Sequence, residues 1–344
     1  MFISSYFLAR ELWSHEVMSI YFKVLYMEIE EILLDVKDCC DDFLDKNSDW
    51  TIIIRWATAT WKSKLSLLLS DFFLVELISA DSRQIFRWMD IWTDKVPLQW
   101  RERVPHHQID IVNPDETYTA WQWKFDVENE VEEILWRKRT PIIVWWTWLY
   151  IDTIYKNFQM PECAPNYEYR DELQKKEDTK PGYVYKLLQE VDPEEARKLH
   201  PNATRYIIRA LEIYYEIWKT KTELFLHQPV KHPLLMIGLW REKEETNMRI
   251  NARIKEMLKN GLVEEVKWLL DQRYSPDLQS MQWIGYKEVI GYLHWEYWYD
   301  DMEELLRKNT HYLAKKQRTR FRRYIAEWLQ SPRDNVQYKV WNLY

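Results

Sequence analysis

Residues Thr51 to Ser63 read TIIIRWATATWKS, a β-branched apolar run followed by a short loop that ends in Lys-Ser at the head of a helical stretch. With Trp56 and Trp61 read as glycine, the loop becomes G-x-x-x-x-G-K-[ST], the phosphate-binding loop that joins a strand to a helix in α/β proteins. No other segment restricts the fold as much. In such a loop, successive backbone N–H groups and the helix N-terminus surround phosphate oxygens. Lys62 would neutralise charge there, and the Ser63 hydroxyl would reach Mg²⁺. As written, each indole brings roughly 200 Å² of side chain into the space a phosphate needs.

Composition points the same way. The chain has 5 glycines and 21 tryptophans in 344 residues, whereas glycine usage averages about 7%. The two residue types together number about what glycine alone should supply. Turns, helix C-caps and positions of positive φ all draw on glycine, and five cannot serve a chain of this length. The simplest account is a gene in which UGA encodes glycine, read with a table that gives tryptophan. The alternative is a truly tryptophan-rich protein, but its tryptophans cluster where a side chain is least wanted.

Length allows one large α/β domain with an insertion, or two domains. A net charge of −7 argues against wholesale coating of nucleic acid, yet charge can be segregated locally. Cys39, Cys40 and Cys163 have neither zinc spacing nor a disulfide framework, which fits a reducing cytoplasm. Arg10, Glu11, His15 and Glu16 interrupt the apolar start of the chain well short of a membrane span, and no export signal or membrane association is expected.

Residues 1–48 read as helical, with an acidic patch around Asp38, Asp41 and Asp42, an N-terminal extension ahead of the core. From Thr51 the pattern alternates: TIIIR, a helix from Lys62, ELISA, a long helix around 121–139, then PIIVWW. That order predicts a P-loop-like parallel sheet flanked by helices. The core's first part runs over 49–158. Residues 159–232, charged and broken at Pro161, Pro165, Pro181 and Asp192-Pro193, read as a helical insertion. The core resumes over 233–330 with the apolar run Pro233 to Leu239 and amphipathic helices, and 331–344 reads as a tail.

Two more segments carry chemistry. In ISADSRQIFRWMDIWT, residues 78–93, Asp81 falls just beyond a strand, at the sheet edge where α/β proteins place ligands. A carboxylate there serves as a general base, a metal ligand or a helix cap. In PIIVWWTWLY, 141–150, a strand runs into a would-be Gly-Gly-Thr-Gly turn that exposes Thr147. The 307–323 segment holds eight Lys or Arg and no acid, a basic face that alone would not justify an RNA partner.

Taken with VPHHQIDIVNPDETYT (104–119), LHPNATRYIIRALEIY (199–214), RINARIKEMLKNGLVEEV (249–266), MQWIGYKE (281–288) and RKNTHYLAKKQRTRFRR (307–323), these motifs make residues 51–330 resemble the tRNA dimethylallyltransferases of bacterial type. Glycines of that family fall on Trp56, Trp61, Trp88, Trp92, Trp145, Trp146, Trp148, Trp218, Trp283 and Trp295. The resemblance implies transfer of a dimethylallyl group from dimethylallyl diphosphate to N6 of the adenosine immediately 3′ of the anticodon, with Mg²⁺, by a cytoplasmic monomer. The diphosphate would lie on Trp56, Thr58, Ala59, Thr60, Trp61, Lys62 and Ser63, with Ser63 on the metal. Asp81 matches the base that takes the N6 proton. Thr147 matches a hydroxyl near the diphosphate, and Arg249 an arginine that stabilises the leaving group, with Arg253 one turn on as the fallback. The tRNA anticodon stem-loop would be met by Asp81, Ser82, Arg83, Gln84, Thr204, Arg205, Ile208, Gln282 and Tyr286. Two family runs differ here: Asn202-Ala203-Thr204-Arg205 stands for Asn-Asp-Pro-Gln-Arg, and Thr319-Arg320-Phe321-Arg322 for Thr-Trp-Phe-Arg. A related enzyme acting on free adenine nucleotides, or a non-catalytic RNA-binding relative with genuine tryptophans, are the alternative readings.

Overall fold

A computed structural model of the chain describes residues 32–55, 62–145, 147–330 and 334–343. Its described residues form two compact units: one holds those up to 117, 127–147 and those from 232 on, the other holds 118–126 and 148–231.

The first unit is built on a six-stranded, all-parallel sheet in the order β3-β2-β4-β1-β5-β6. The strands are β1 Thr51–Arg55, β2 Val75–Ala80, β3 His106–His107, β4 Thr140–Trp145, β5 Leu234–Arg241 and β6 Val336–Leu343. Every residue of β1 and β2 is buried. That is why they read as continuous apolar runs and not as alternating ones: a parallel sheet carries its crossover helices on both faces. Four of the five strands longer than two residues stand within a residue or two of their sequence-read positions. The fifth is a correction, because 336–343 is no tail. It pairs along its length with β5, from Leu234↔Val336 to Arg241↔Leu343.

A helix α1 over 32–44 precedes β1. Its Leu33, Val36, Cys39, Cys40 and Phe43 are buried at helical spacing, Phe43 packs against Trp50 at 5.5 Å between ring centroids, and Cys39 Sγ lies 3.9 Å from Gln337 Nε2 on β6. From residue 32 on, the N-terminal segment is thus a packed part of the sheet unit. Burial pushes the Cys39 and Cys40 thiols up, which fits packing groups better than reactive ones.

Helix α2, Lys62–Leu69, follows β1, and α3, Leu98–Arg103, leads into β3. Helix α4, Ala120–Trp136, begins in the second unit and ends in the first. At the far end of β2, Glu76 is 4% exposed and accepts from Arg137 Nε (3.0 Å) and NH2 (2.8 Å), with His107 Nε2 at 2.7 Å. Burial alone would raise this carboxyl; the Arg137 and His107 contacts hold it below the ordinary range.

The second unit is helical: α5 Trp148–Tyr155, α6 Tyr167–Thr179, α7 Tyr183–Val191, α8 Pro193–Lys198, α9 Thr204–Ile217 and α10 Lys221–Leu224. It starts earlier than the predicted 159 because α5 belongs to it, with Tyr150 stacked on Trp123 at 4.4 Å. Its core joins Leu173, Val184, Leu188, Ala196, Ile207, Ile208 and Leu211. The chain then returns through β5 to α11 Lys243–Lys259, α12 Leu262–Asp271, α13 Tyr286–Leu293 and the basic α14 Tyr299–Gln330.

Three of the tryptophans aligned with family glycines, Trp88, Trp218 and Trp295, sit at φ 63°, 56° and 64°. Glycine occupies this left-handed region without steric penalty, and bulky side chains rarely do.

Candidate active site

Strand β1 lies between β4 and β5, while the chain leaving β1 passes over β4 to reach β2. This reversal of strand order opens a crevice at the carboxyl ends of the strands, the place where open α/β sheets bind ligands. The registers Ile54↔Val144 and Ala80↔Trp145 bring the ends of β1, β2 and β4 level. Lys62, Asp81 and Thr147, separated by up to 85 positions in sequence, therefore meet at one edge of the sheet.

A cavity of about 460 Å³ occupies this edge, within the range of small-ligand sites. It is lined by Lys62, Ser63 and Ser66 from α2, by Asp81 and Gln84 after β2, and by α11. Arg249, Ala252, Arg253 and Glu256 face it at i, i+3, i+4 and i+7, while Ile250, Ile254 and Met257 of the same helix are buried. Leu77, Ile78, Val96, Ile109 and Val144 supply an apolar part. The cavity thus has a cationic region suited to an anion and a region suited to a hydrocarbon.

Asp81 is 5% exposed and Lys62 is 7% exposed. Burial pushes the Asp81 carboxyl up to about 6, against the opposing pull of the Arg83 charge and N–H and of Lys62. Burial also pushes the Lys62 ammonium down to about 7, and the Arg253 charge adds to that. A carboxylate poised near neutrality can take a proton without being too weak a base. Its Oδ1 accepts from Arg83 N–H at 2.9 Å, and among the described residues Oδ2 has no hydrogen-bond partner. Thr147 clasps the same turn: its Oγ1 accepts from Ser82 N–H at 2.9 Å and donates to Ser82 Oγ at 3.0 Å, and its own N–H bonds to Ala80 O at 2.8 Å. Thr147 here positions the Asp81 turn.

The sheet edge thus joins Lys62, Ser63, Asp81, Arg249 and Arg253 around one cavity, with Thr147 behind Asp81. The expectations for Trp56, Thr58, Ala59, Thr60 and Trp61 fall outside the described residues. Of the residues expected to touch RNA, Arg205 and Gln282 are exposed, and Ser82, Arg83 and Thr204 are half-buried. Three others also have fixed places in the fold. Gln84 is a strut, accepting from Ser79 Oγ at 2.9 Å and donating to the carbonyls of Thr93 and Asp94 at 3.1 and 3.3 Å. Ile208 is 5% exposed within the helical unit's core. Tyr286 is wholly buried and donates to Glu265 Oε1 at 2.8 Å, while Glu265 Oε2 accepts the N–H groups of Asp90 and Ile91. The last two side chains are part of packed cores. Asp94 is the residue that the sequence did not mark: it lines the cavity and accepts from Arg253 at 3.2 Å, a pairing across 159 positions for which no local pattern exists.

A family description, IPP transferase, matches residues 84–324. The chain belongs to this family. The tRNA dimethylallyltransferase of Halothermothrix orenii is 42% identical over 278 residues, covering 79% of this chain and 84% of the relative. That of Thermotoga petrophila is 41% identical over 273 residues, covering 79% and 89%. Among solved structures, the tRNA isopentenylpyrophosphate transferase of Bacillus halodurans superposes with a TM-score of 0.59 at 33% identity, covering 85% of this chain and 90% of that one. A eukaryotic dimethylallyltransferase described as acting on tRNA superposes at 0.67 with 31% identity, covering 78% and 69%. Among the described residues no helix is long and apolar enough to cross a membrane.

Proposed function

We propose that the chain transfers a dimethylallyl group from dimethylallyl diphosphate to N6 of the adenosine 3′-adjacent to the anticodon of a tRNA. The observation that carries this reading is the buried Asp81, with one carboxylate oxygen held by the turn and the other without a partner among the described residues, in one cavity with Lys62, Arg249 and Arg253. A neutral exocyclic amine is a weak nucleophile, and a diphosphate leaves well only if its charge is met. In this arrangement the N6 lone pair forms the new N–C bond as the prenyl C–O bond breaks. The N6 proton passes to Asp81, and the oxygen that takes the electron pair faces Lys62 and the α11 arginines. The apolar residues Leu77, Ile78, Val96 and Val144 suit the hydrocarbon tail.

The donor set also suits Mg²⁺, which takes one or two protein oxygens and completes its shell with phosphate and water. Ser63 would hold it, with the carboxylates of Asp81 and Asp94 on the same cavity. When bound, the ion supplies further positive charge against the leaving diphosphate. Access to a base in an anticodon loop requires its extrusion from the stack. The basic face of α14 supplies sequence-independent attraction for the phosphate backbone.

The test compares two acceptors in the chain carrying glycine at 56, 61, 145, 146 and 148, with labelled dimethylallyl diphosphate and Mg²⁺. Label is expected on an anticodon stem-loop with adenosine 3′ of the anticodon. Equal or faster labelling of free AMP would replace this reading with nucleotide prenylation.

A further inference from the structure

The loop that leaves β2 at Asp81 returns to the same cavity, so both of its ends line it: Asp81 and Gln84 at one, Thr93 and Asp94 at the other. The return is built around Lys95, whose side chain is 2% exposed. An ammonium has three N–H bonds to give, and this one meets three oxygens at 2.6 Å: Phe86 O, Asp90 Oδ1 and Asp110 Oδ1. We propose that Lys95 is a positioning residue that, through Gln84, holds the Asp81 turn in place for proton transfer. The proposal rests on the prenyl-transfer reading given above.

Two links carry the constraint. The first closes a turn. Asp90 O accepts Lys95 N–H at 3.2 Å while the Asp90 carboxylate accepts the Lys95 ammonium, and Asp90 N–H is itself taken by Glu265 of α12. Asp94 lies inside this closed turn at φ 54°, a left-handed conformation that persists only where the surroundings over-determine it. The second link crosses the loop. Gln84 Nε2 donates to the carbonyls of Thr93 and Asp94, within the turn that Lys95 closes, and the neighbouring Arg83 N–H donates to Asp81 Oδ1 at 2.9 Å. Gln84 O also accepts from Asp110 N–H at 3.1 Å, so the residue that Lys95 grips by its side chain holds the Gln84 main chain too. Burial would raise the Asp110 carboxyl, but the bonds from Lys95 and Arg101 hold it below the ordinary range, and this anchor stays charged. A buried ammonium persists only with its bonds complete, which makes the joint stiff.

The experiment reads backbone amide hydrogen exchange and single-turnover rate in the full-length chain with glycine at 56, 61, 145, 146 and 148. Lys95→Met is expected to speed exchange of Arg83 N–H, the bond that holds Asp81, by about tenfold, along with that of Asp94 and Lys95. The single-turnover rate at saturating donor is expected to fall roughly tenfold, less than the ~10² that a 1 Å misplacement costs, with the KM for dimethylallyl diphosphate near its parent value. Asp90→Ala removes one of the three acceptors from a side chain that is 57% exposed and leaves the main-chain closure. It is expected to give a milder change in the same direction, and it decides the matter should Lys95→Met not fold. In an Asp81→Ala background, Lys95→Met is expected to leave the residual rate unchanged, because the base it positions is gone. A general structural defect would lower both rates alike. Equal losses in the two backgrounds, or faster exchange confined to residues 90–95 and 110 with Arg83 at its parent rate, would overturn the proposal. A parent chain that transfers nothing would count against the prenyl-transfer reading instead, and the exchange measurement would still decide the relay.

Discussion

Replacing Trp295 by glycine is expected to make the protein more stable, the reverse of what deleting a large side chain normally does. Helix α13 ends in a pair of bonds, Glu296 N–H to Gly291 O and Trp295 N–H to Tyr292 O, each 3.0 Å. This is the Schellman arrangement, in which the residue at C′ is left-handed and usually glycine. Trp295 occupies C′ at φ 64° with 83% of its surface exposed. Its ring has no aromatic or cationic partner among the described residues, so its removal forfeits little packing. Relief of the left-handed conformation is worth about 1–2 kcal/mol. The greater unfolded-state freedom of glycine returns about 0.4–1 kcal/mol of that. The balance is a gain of roughly 1 kcal/mol, which for a domain of this size moves the Tm up by about 2–4 °C. Trp295→Ala is the control, since it removes the indole and keeps the conformational penalty. Thermal unfolding of the three proteins should rank glycine above alanine. A glycine variant that melts at or below the alanine variant would refute the reasoning.

Further outcomes follow from the site and from composition. Peptide mass spectrometry of the native protein is expected to show glycine at 56, 61, 145, 146 and 148, with UGA at those codons, and tryptophan-bearing peptides would end the recoding account. In the glycine-bearing chain, Asp81→Ala should lower single-turnover rate by roughly 10²–10⁴, the worth of a positioned base, with stem-loop binding retained. Lys62→Ala should act mainly on donor affinity; near-normal single-turnover rates in Asp81→Ala would remove that residue from the chemistry. The pH profile of kcat/KM should rise towards pH 6 as Asp81 loses its proton and fall above 7 as Lys62 loses its own, since these groups stand at about 6 and about 7. Lys62→Arg, whose guanidinium does not titrate, should remove the upper limb. A profile flat from roughly pH 5 to 9 would contradict both assignments.

Much of the sheet was legible because parallel strands buried on both faces are mostly apolar, and TIIIR and VELISA carry such runs, with a Lys-Ser helix start following the first. Strand β6 was not legible. Its VQYKVWNL alternates polar and apolar residues at a sheet edge after a long helix, where pairing with β5 and not local pattern decides the outcome. The helical unit's early start was hidden too, since it depends on Tyr150 stacking on Trp123. At the site, Lys62, Asp81 and Thr147 could be chosen because each follows a strand end, whereas Arg249 was named only through the family resemblance. Roles were harder than positions. Tyr286 and Ile208 lie in segments with exposed neighbours, yet their own side chains point into packed cores, a distinction that only tertiary contacts make. Asp94 depends on a contact that no spacing rule reaches.

The central claim is the identity of the reaction and of its target atom. Incubating the glycine-bearing chain with dimethylallyl diphosphate, Mg²⁺ and an anticodon stem-loop, then mapping the product RNA by nuclease digestion and mass spectrometry, reads both at once. The account predicts a dimethylallyl group on N6 of the adenosine immediately 3′ of the anticodon and no other modified nucleoside. Modification at a different base, or none in a protein that binds both substrates, would contradict it.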